Sequence, residues 1–384
     1  MQVTITPPAR AGFFQRRRWS MLACLATTLL ACGAQAQSTA PGTYGVKVYR
    51  VDSSLYPYVQ VFFRTFNEAK QPLVNLNELN IGLMVKGRAY DPMKRQYKVE
   101  SLRQKPVGTR TVLVLDASKS MAGQPFESAL RAAARYIDTK RGQDEVAVLA
   151  IRDTKEGYSP VSAFERDPGA IARRLADVQV DGMQTRLYDS VAAAMQLCGA
   201  SGQGSLSPNI DNFIVSCAVV VFSDGWDEGS ALSREDLNGR ITNMAIPIPI
   251  YSLAYSKLST AHFRNLEALS KNSFGNYYLV GETYDRMQQI VEEIQNINLS
   301  DYVVTFRAYV PVDGEAHALK LGIEYPSGSG KFTYDAGHFE AIEPPPVGGI
   351  GEKLNALGQT MPPMPNANPF FETPGNVAPP APAN

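Results

Sequence analysis

Near Arg110 the hydrophobic period of this 384-residue chain changes, and that change governs which folds are open to it. From Thr111 to Leu115 the residues form a continuous apolar run that stops at Asp116. Glu145 to Ile151 and Cys217 to Phe222 are further runs of this kind, and Pro247 to Ala254 and Tyr277 to Val280 read as two more strands. Between them lie segments with helical spacing: Phe126–Lys140, Pro168–Val178, Leu187–Leu197, Ser233 (as cap) to Asn243, His262–Ser270 and Asp285–Ile297. A strand that is apolar at every position is buried on both faces. Such strands alternating with amphipathic helices predict a doubly wound, mainly parallel α/β sheet. A sheet of that kind carries its ligand site in the loops at the strand carboxyl ends.

On either side the period is two. Val59, Val61 and Phe63 alternate with Gln60, Phe62 and Arg64, and Ile81, Leu83 and Val85 repeat the pattern. After Asp301, Leu319, Leu321 and Ile323 do the same. Neither flank offers many strands, and a small isolated sheet is hard to stabilise. The flanks, 43–105 and 301–342, are therefore expected to join in one accessory β-sandwich with the α/β domain, 108–300, inserted in it. Two separate β units are the alternative. Residues 343–384 hold 11 of the 26 prolines and few apolar side chains, so the tail is expected to be disordered, with room for a short helix at Gly351–Leu357.

The N-terminus has the order of an export signal over residues 1–36. Arg16, Arg17 and Arg18 precede an apolar run from Met21 to Ala31, too short to span a bilayer, and small residues follow. Ala34-Gln35-Ala36 fits a cleavage site that releases a chain from Gln37. Leu29-Leu30-Ala31-Cys32 fits a lipobox, which would anchor the chain to a membrane through Cys32. Either route implies a periplasmic or secreted protein. Export places Cys198 and Cys217 in an oxidising compartment, where they can pair or remain as two buried thiols; a bond would contribute about 3 kcal/mol.

Lys+Arg and Asp+Glu are equal at 37 each, which argues against nucleic-acid binding. The three histidines, His262, His317 and His338, are far apart and give poor support to zinc or a histidine-based catalytic centre.

The chemistry concentrates where the first buried strand ends. Asp116-Ala117-Ser118-Lys119-Ser120 can aim three side-chain oxygens at one point. Thr185, in Gly182-Met183-Gln184-Thr185, lies just before a helix, and Asp224, in Ser223-Asp224-Gly225, just after a buried strand, so both fall in loops expected at strand carboxyl ends. Taken singly, each hydroxyl could simply cap a helix. Together the five resemble the metal-ion-dependent adhesion site of the von Willebrand factor A-type domain, over about residues 108–300. That resemblance implies Ser118 and Ser120 as direct hydroxyl ligands, with Thr185 joining them in the ligand-competent state and Asp116 and Asp224 acting largely through ordered water. The family's Gly-Gly-x-Thr and Thr-Asp-Gly motifs are slightly altered here. An all-oxygen shell suits a hard cation: Mg²⁺ first, with Mn²⁺ or Ca²⁺ also compatible.

The expectation that follows is a metal-dependent binding or adhesion module, not an enzyme, whose partner protein offers a Glu or Asp carboxylate. An envelope-assembly protein with a purely structural metal is the alternative. Asp227 and Glu228 are the only nearby candidates for the general base that a metal-assisted hydrolase would need.

Overall fold

The computed structural model describes residues 44–200, 214–244, 247–255, 261–280, 284–344, 346 and 348–362. The expected export signal, residues 1–36, lies outside the described residues. The N-terminal flank contributes β1 (Tyr44–Leu55), β2 (Tyr58–Asn67), β3 (Ile81–Val85), β4 (Arg88–Ala89) and β5 (Tyr97–Ser101). The central unit runs β6 (Gly108–Asp116), α1 (Gln124–Thr139), β7 (Glu145–Ile151), β8 (Tyr158–Glu165), α2 (Pro168–Ala176), α3 (Leu187–Ala200) and β9 (Ile214–Ser223). It continues with α4 (Arg234–Thr242), β10 (Ile250–Ala254), α5 (Phe263–Asn272), β11 (Tyr277–Leu279) and α6 (Tyr284–Asn298). The C-terminal flank adds β12 (Tyr302–Arg307), β13 (Ala316–Glu324) and β14 (Phe332–Glu340), followed by α7 (Ile350–Thr360).

The central strands form one sheet in the order β11-β10-β9-β6-β7-β8, parallel except at β8. Alternation along β6 assigns its side chains to two cores. Leu113 and Leu115 pack with α1, α2 and α6, whereas Val112 and Val114 pack with α3, α4 and α5. All four are fully buried, so each contributes about 2 kcal/mol of apolar transfer, and truncating either leucine would cost about 2–5 kcal/mol. The doubly wound sheet thus follows from continuous apolar runs such as Val112–Leu115, which bury side chains on both faces.

β8 has no counterpart among the expected strands. It is an antiparallel edge strand with two register shifts against β7, and Pro160 sits within it opposite Leu149. An edge position tolerates the missing N–H of proline, but the proline and the irregular alternation hide the strand from pattern reading. Helix ends agree better with local chemistry. Ser233 and Asp236 form a reciprocal capping box at the start of α4, which supplies two of the otherwise orphaned N–H groups with acceptors.

The flanking strands form two antiparallel sheets, β1-β2-β12-β5 and β14-β13-β3-β4, each mixing strands from both ends of the chain. Val61, Phe63, Leu83, Val304, Leu319 and Leu321 belong to their common core. The start of the proline-rich tail departs from the expectation of disorder. Ile350–Thr360 is helical, and Met361 is buried against Leu55 and Tyr58, whose hydroxyl donates to the Met361 carbonyl at 3.3 Å. Residues 363–384 lie outside the described residues.

The sandwich meets the central sheet at the amino-terminal ends of its strands. Tyr49, Phe62, Leu102, Val215 and Val303 share one apolar cluster there. Beside it, Arg64 of β2 grips Asp301, just before β12, through a two-point fork with contacts of 2.9 and 2.8 Å. Cys198 of α3 and Cys217 of β9 are disulfide-bonded, with their Cα atoms 5.6 Å apart. Among the described residues no helix is long and apolar enough to cross a membrane.

Candidate metal centre

The opposite, carboxyl end of the sheet carries the loops that follow β6 and β9. β6 ends at Asp116, whose carboxylate is wholly buried. Its Oδ1 accepts from the Ser118 amide at 3.0 Å, which bends the chain back immediately after the strand. The Ser118 and Ser120 hydroxyls then lie 3.0 Å apart, Ser118 buried and Ser120 exposed at the rim.

Two further segments are stitched to this turn. Ser118 and Gly182 form a parallel bridge, with Lys119 N donating to Gly182 O at 3.0 Å and Gly182 N to Ala117 O at 3.1 Å. This fixes the loop that carries Thr185, which is 2 % exposed. The Thr185 carbonyl in turn accepts from Glu228 N at 2.8 Å, which ties that loop to the one following Asp224. From β9, Ser223 Oγ donates to Asp116 Oδ2 at 2.7 Å and accepts from Gly225 N at 3.0 Å. Asp224 is buried and its Oδ1 accepts from Trp226 N at 3.0 Å. Gly225 has φ +80°, and a Cβ there would come within 2.6 Å of the His262 carbonyl, so glycine is required for the turn that presents Asp224.

All five residues singled out in the sequence therefore belong to three loops joined by hydrogen bonds at one edge of the sheet. Sequence reasoning passed over Ser223 as an anchor for Asp116; its position directly before Asp224 was the available signal. Also missed was the rim, where Trp226 stacks on His262 with ring centroids 4.4 Å apart and Met183 is exposed. Neither aromatic pairing nor exposure can be read from spacing.

The electrostatics set a clear demand. Burial pushes the Asp116 carboxyl up to about 6, the neighbouring Asp224 charge adds to the rise, and hydrogen bonds from Ser118 and Ser223 oppose it. Among the described residues neither Asp116 nor Asp224 is in an ion pair, and no cluster of three or more His, Cys, Asp or Glu side chains occurs. Two carboxylates and neighbouring hydroxyls without a cationic side chain fit a hard divalent ion and do not fit zinc or a soft metal. Asp227 is committed elsewhere: its Oδ1 accepts from Ser230 Oγ at 2.6 Å and from Tyr188 N at 3.3 Å, supporting the start of α3.

Residues 111–226 match the family model for the von Willebrand factor type A domain. With the doubly wound sheet, this makes the central unit a von Willebrand A-type domain. Among solved structures the chain is similar to the crystal structure of the SpRpn10 VWA domain, with 14 % identity, coverage of 48 % of this chain and 94 % of that one, and a TM-score of 0.36. No curated protein matches the chain.

Proposed function

We propose that the chain is an exported, metal-dependent protein-binding module, and that its von Willebrand A-type domain engages an acidic residue of a partner protein through a divalent cation, Mg²⁺ by preference. The observation that carries this reading is the joining of the Asp116–Ser120, Gly182–Thr185 and Ser223–Gly225 segments by backbone and side-chain hydrogen bonds at the sheet edge. Domains of this type generally mediate protein–protein interaction, which supports binding as the role.

Ser118, Ser120 and Thr185 would offer neutral hydroxyls to the cation, and Asp116 and Asp224 their carboxylates. When bound, the ion supplies Lewis acidity towards a partner's Glu or Asp. The chain's own part is preorganisation: Ser223 and the Ser118 amide fix Asp116, and the Gly182 bridge fixes the Thr185 loop. Asp227 Oδ1 already accepts from Ser230 Oγ and Tyr188 N, which supports a role for it at the start of α3 over one as a general base.

A pull-down from the source envelope, with Mg²⁺ or EDTA and with wild type or Asp116→Ala, tests the proposal. Capture that needs both Mg²⁺ and Asp116 is expected; equal capture in all arms would overturn it. One feature favours a second reading, in which the metal is structural and the sandwich makes the contact: Phe332 and Tyr334 stack at 5.7 Å and are 38 % and 50 % exposed on β14. Capture lost in Tyr334→Ala but retained in Asp116→Ala would select it.

A further inference from the structure

Two large apolar side chains stand exposed in the loops of the candidate metal centre. Met183, two residues before Thr185, is 60 % exposed, and Trp226, two residues after Asp224, is 42 % exposed. Their loops are neighbours, because Glu228 N donates to the Thr185 carbonyl at 2.8 Å. An exposed apolar side chain is ordinary by itself. What sets Trp226 apart is how firmly it is held.

The Trp226 amide donates to Asp224 Oδ1 at 3.0 Å, so the backbone that carries the indole is tied to a candidate metal ligand. The preceding Gly225 has φ +80°, and its carbonyl accepts from Asn265 Nδ2 at 2.9 Å. The Asn265 amide in turn donates to the His262 carbonyl at 3.0 Å. One asparagine thus ties the backbone on both sides of the ring pair. Between these ties the indole stacks on the His262 imidazole, with centroids 4.4 Å apart and planes 26° from parallel. A rigid, half-exposed tryptophan has little freedom left to lose, so contact with it gains apolar burial at low ordering cost. Such residues dominate the energetics of protein interfaces.

Charge around the site offers less discrimination. Lys119 and Glu228 are exposed and opposite in sign, and Asp181 is paired with Arg152 at 3.4 Å. Beyond the acid that the metal would take, the indole is the group best placed to tell one partner from another.

We infer that Trp226 sets the sequence preference of the partner: the acidic residue offered to the metal has a large apolar side chain within two residues of it, and that side chain packs on the exposed indole. The inference rests on the metal-mediated reading above and adds the chemistry of the residue beside the acid. Trp226 lies two residues from Asp224, a span that a partner segment of the same length matches.

The test uses the full chain with Trp19→Phe, which leaves Trp226 as its single tryptophan, in saturating Mg²⁺. The probes are a capped Gly-Gly-Glu-Gly-Gly peptide and four versions with one phenylalanine in place of each glycine in turn. Calorimetry should show at least one phenylalanine peptide binding about tenfold tighter than the glycine peptide, with a shift in indole emission. Trp226→Ala should abolish that advantage, and Trp226→Phe should keep most of it. Manganese uptake, measured separately, tests the underlying reading: a chain that takes up none fails at the metal, and the inference falls with it. In a chain that loads manganese, three results overturn the inference alone: no binding of any peptide, equal affinity for all five, or an advantage that survives Trp226→Ala. If Trp226→Ala no longer loads manganese, the emission shift decides, and tighter binding that leaves the indole emission unchanged overturns the inference.

Discussion

The two ends of the central sheet each bury an aspartate, and they treat its charge in opposite ways. At the sandwich end Asp301 is 1 % exposed and meets Arg64 in a two-point fork, so its charge is answered inside the chain. At the other end Asp116 is 0 % exposed and is given only hydroxyl and amide donors, with Asp224 as its charged neighbour. Burying a carboxylate without a counter-charge is expensive. The first end uses its charge to fix two structural units together. The second keeps a charge deficit that an external cation can relieve.

The largest effect should come from breaking the answered end. Asp301→Ala leaves the partly buried Arg64 without its carboxylate, so urea denaturation should show a loss of about 3 kcal/mol, with Mg²⁺ affinity little changed. The unanswered end should respond with the opposite sign. The Asp116 carboxyl holds its proton more tightly in the folded chain than in the unfolded one. Its contribution is therefore fully present below the unfolded value, near pH 4, and is lost as pH rises through about 6. In EDTA at pH 8, Asp116→Asn should accordingly raise stability by up to about 3 kcal/mol, with no gain near pH 4. For the wild type, Mg²⁺ affinity measured by calorimetry should fall about tenfold per unit as pH drops below about 6, because the proton and the cation compete for one carboxylate. The smallest effect on folding belongs to Ser120→Ala: at an exposed position it should change stability by less than about 0.5 kcal/mol, yet weaken Mg²⁺ binding about tenfold.

The two ends also differ in how far they were legible in the sequence. The candidate site lies in three short motifs that each follow a buried strand or open a helix, so local pattern together with the family resemblance singled out Asp116, Ser118, Ser120, Thr185 and Asp224, and the structure joins their loops by hydrogen bonds. The Arg64–Asp301 fork joins residues 237 apart, and nothing near either one marks the other. The continuous apolar runs inside β6 (Val112–Leu115) and β9 (Cys217–Phe222) declared themselves. β8 did not, because an edge strand carrying Pro160 needs neither a full hydrogen-bond ladder nor strict alternation. The helix at Ile350–Thr360 was foreshadowed by Gly351–Leu357, but its docking through Met361 onto Tyr58 depends on tertiary contact alone.

The central claim is that the Asp116 end completes its charge with a divalent ion, and the most direct measurement is the stoichiometry of that ion. Manganese titrated into the EDTA-stripped, dialysed chain and followed by electron paramagnetic resonance reports free ion, and hence the number bound. The expected result is one ion per chain, displaced by excess Mg²⁺ and absent in Asp116→Asn, with Asp301→Asn still loading wherever it folds. A wild-type chain that takes up no manganese, or an Asp116→Asn chain that binds it equally well, would contradict the account.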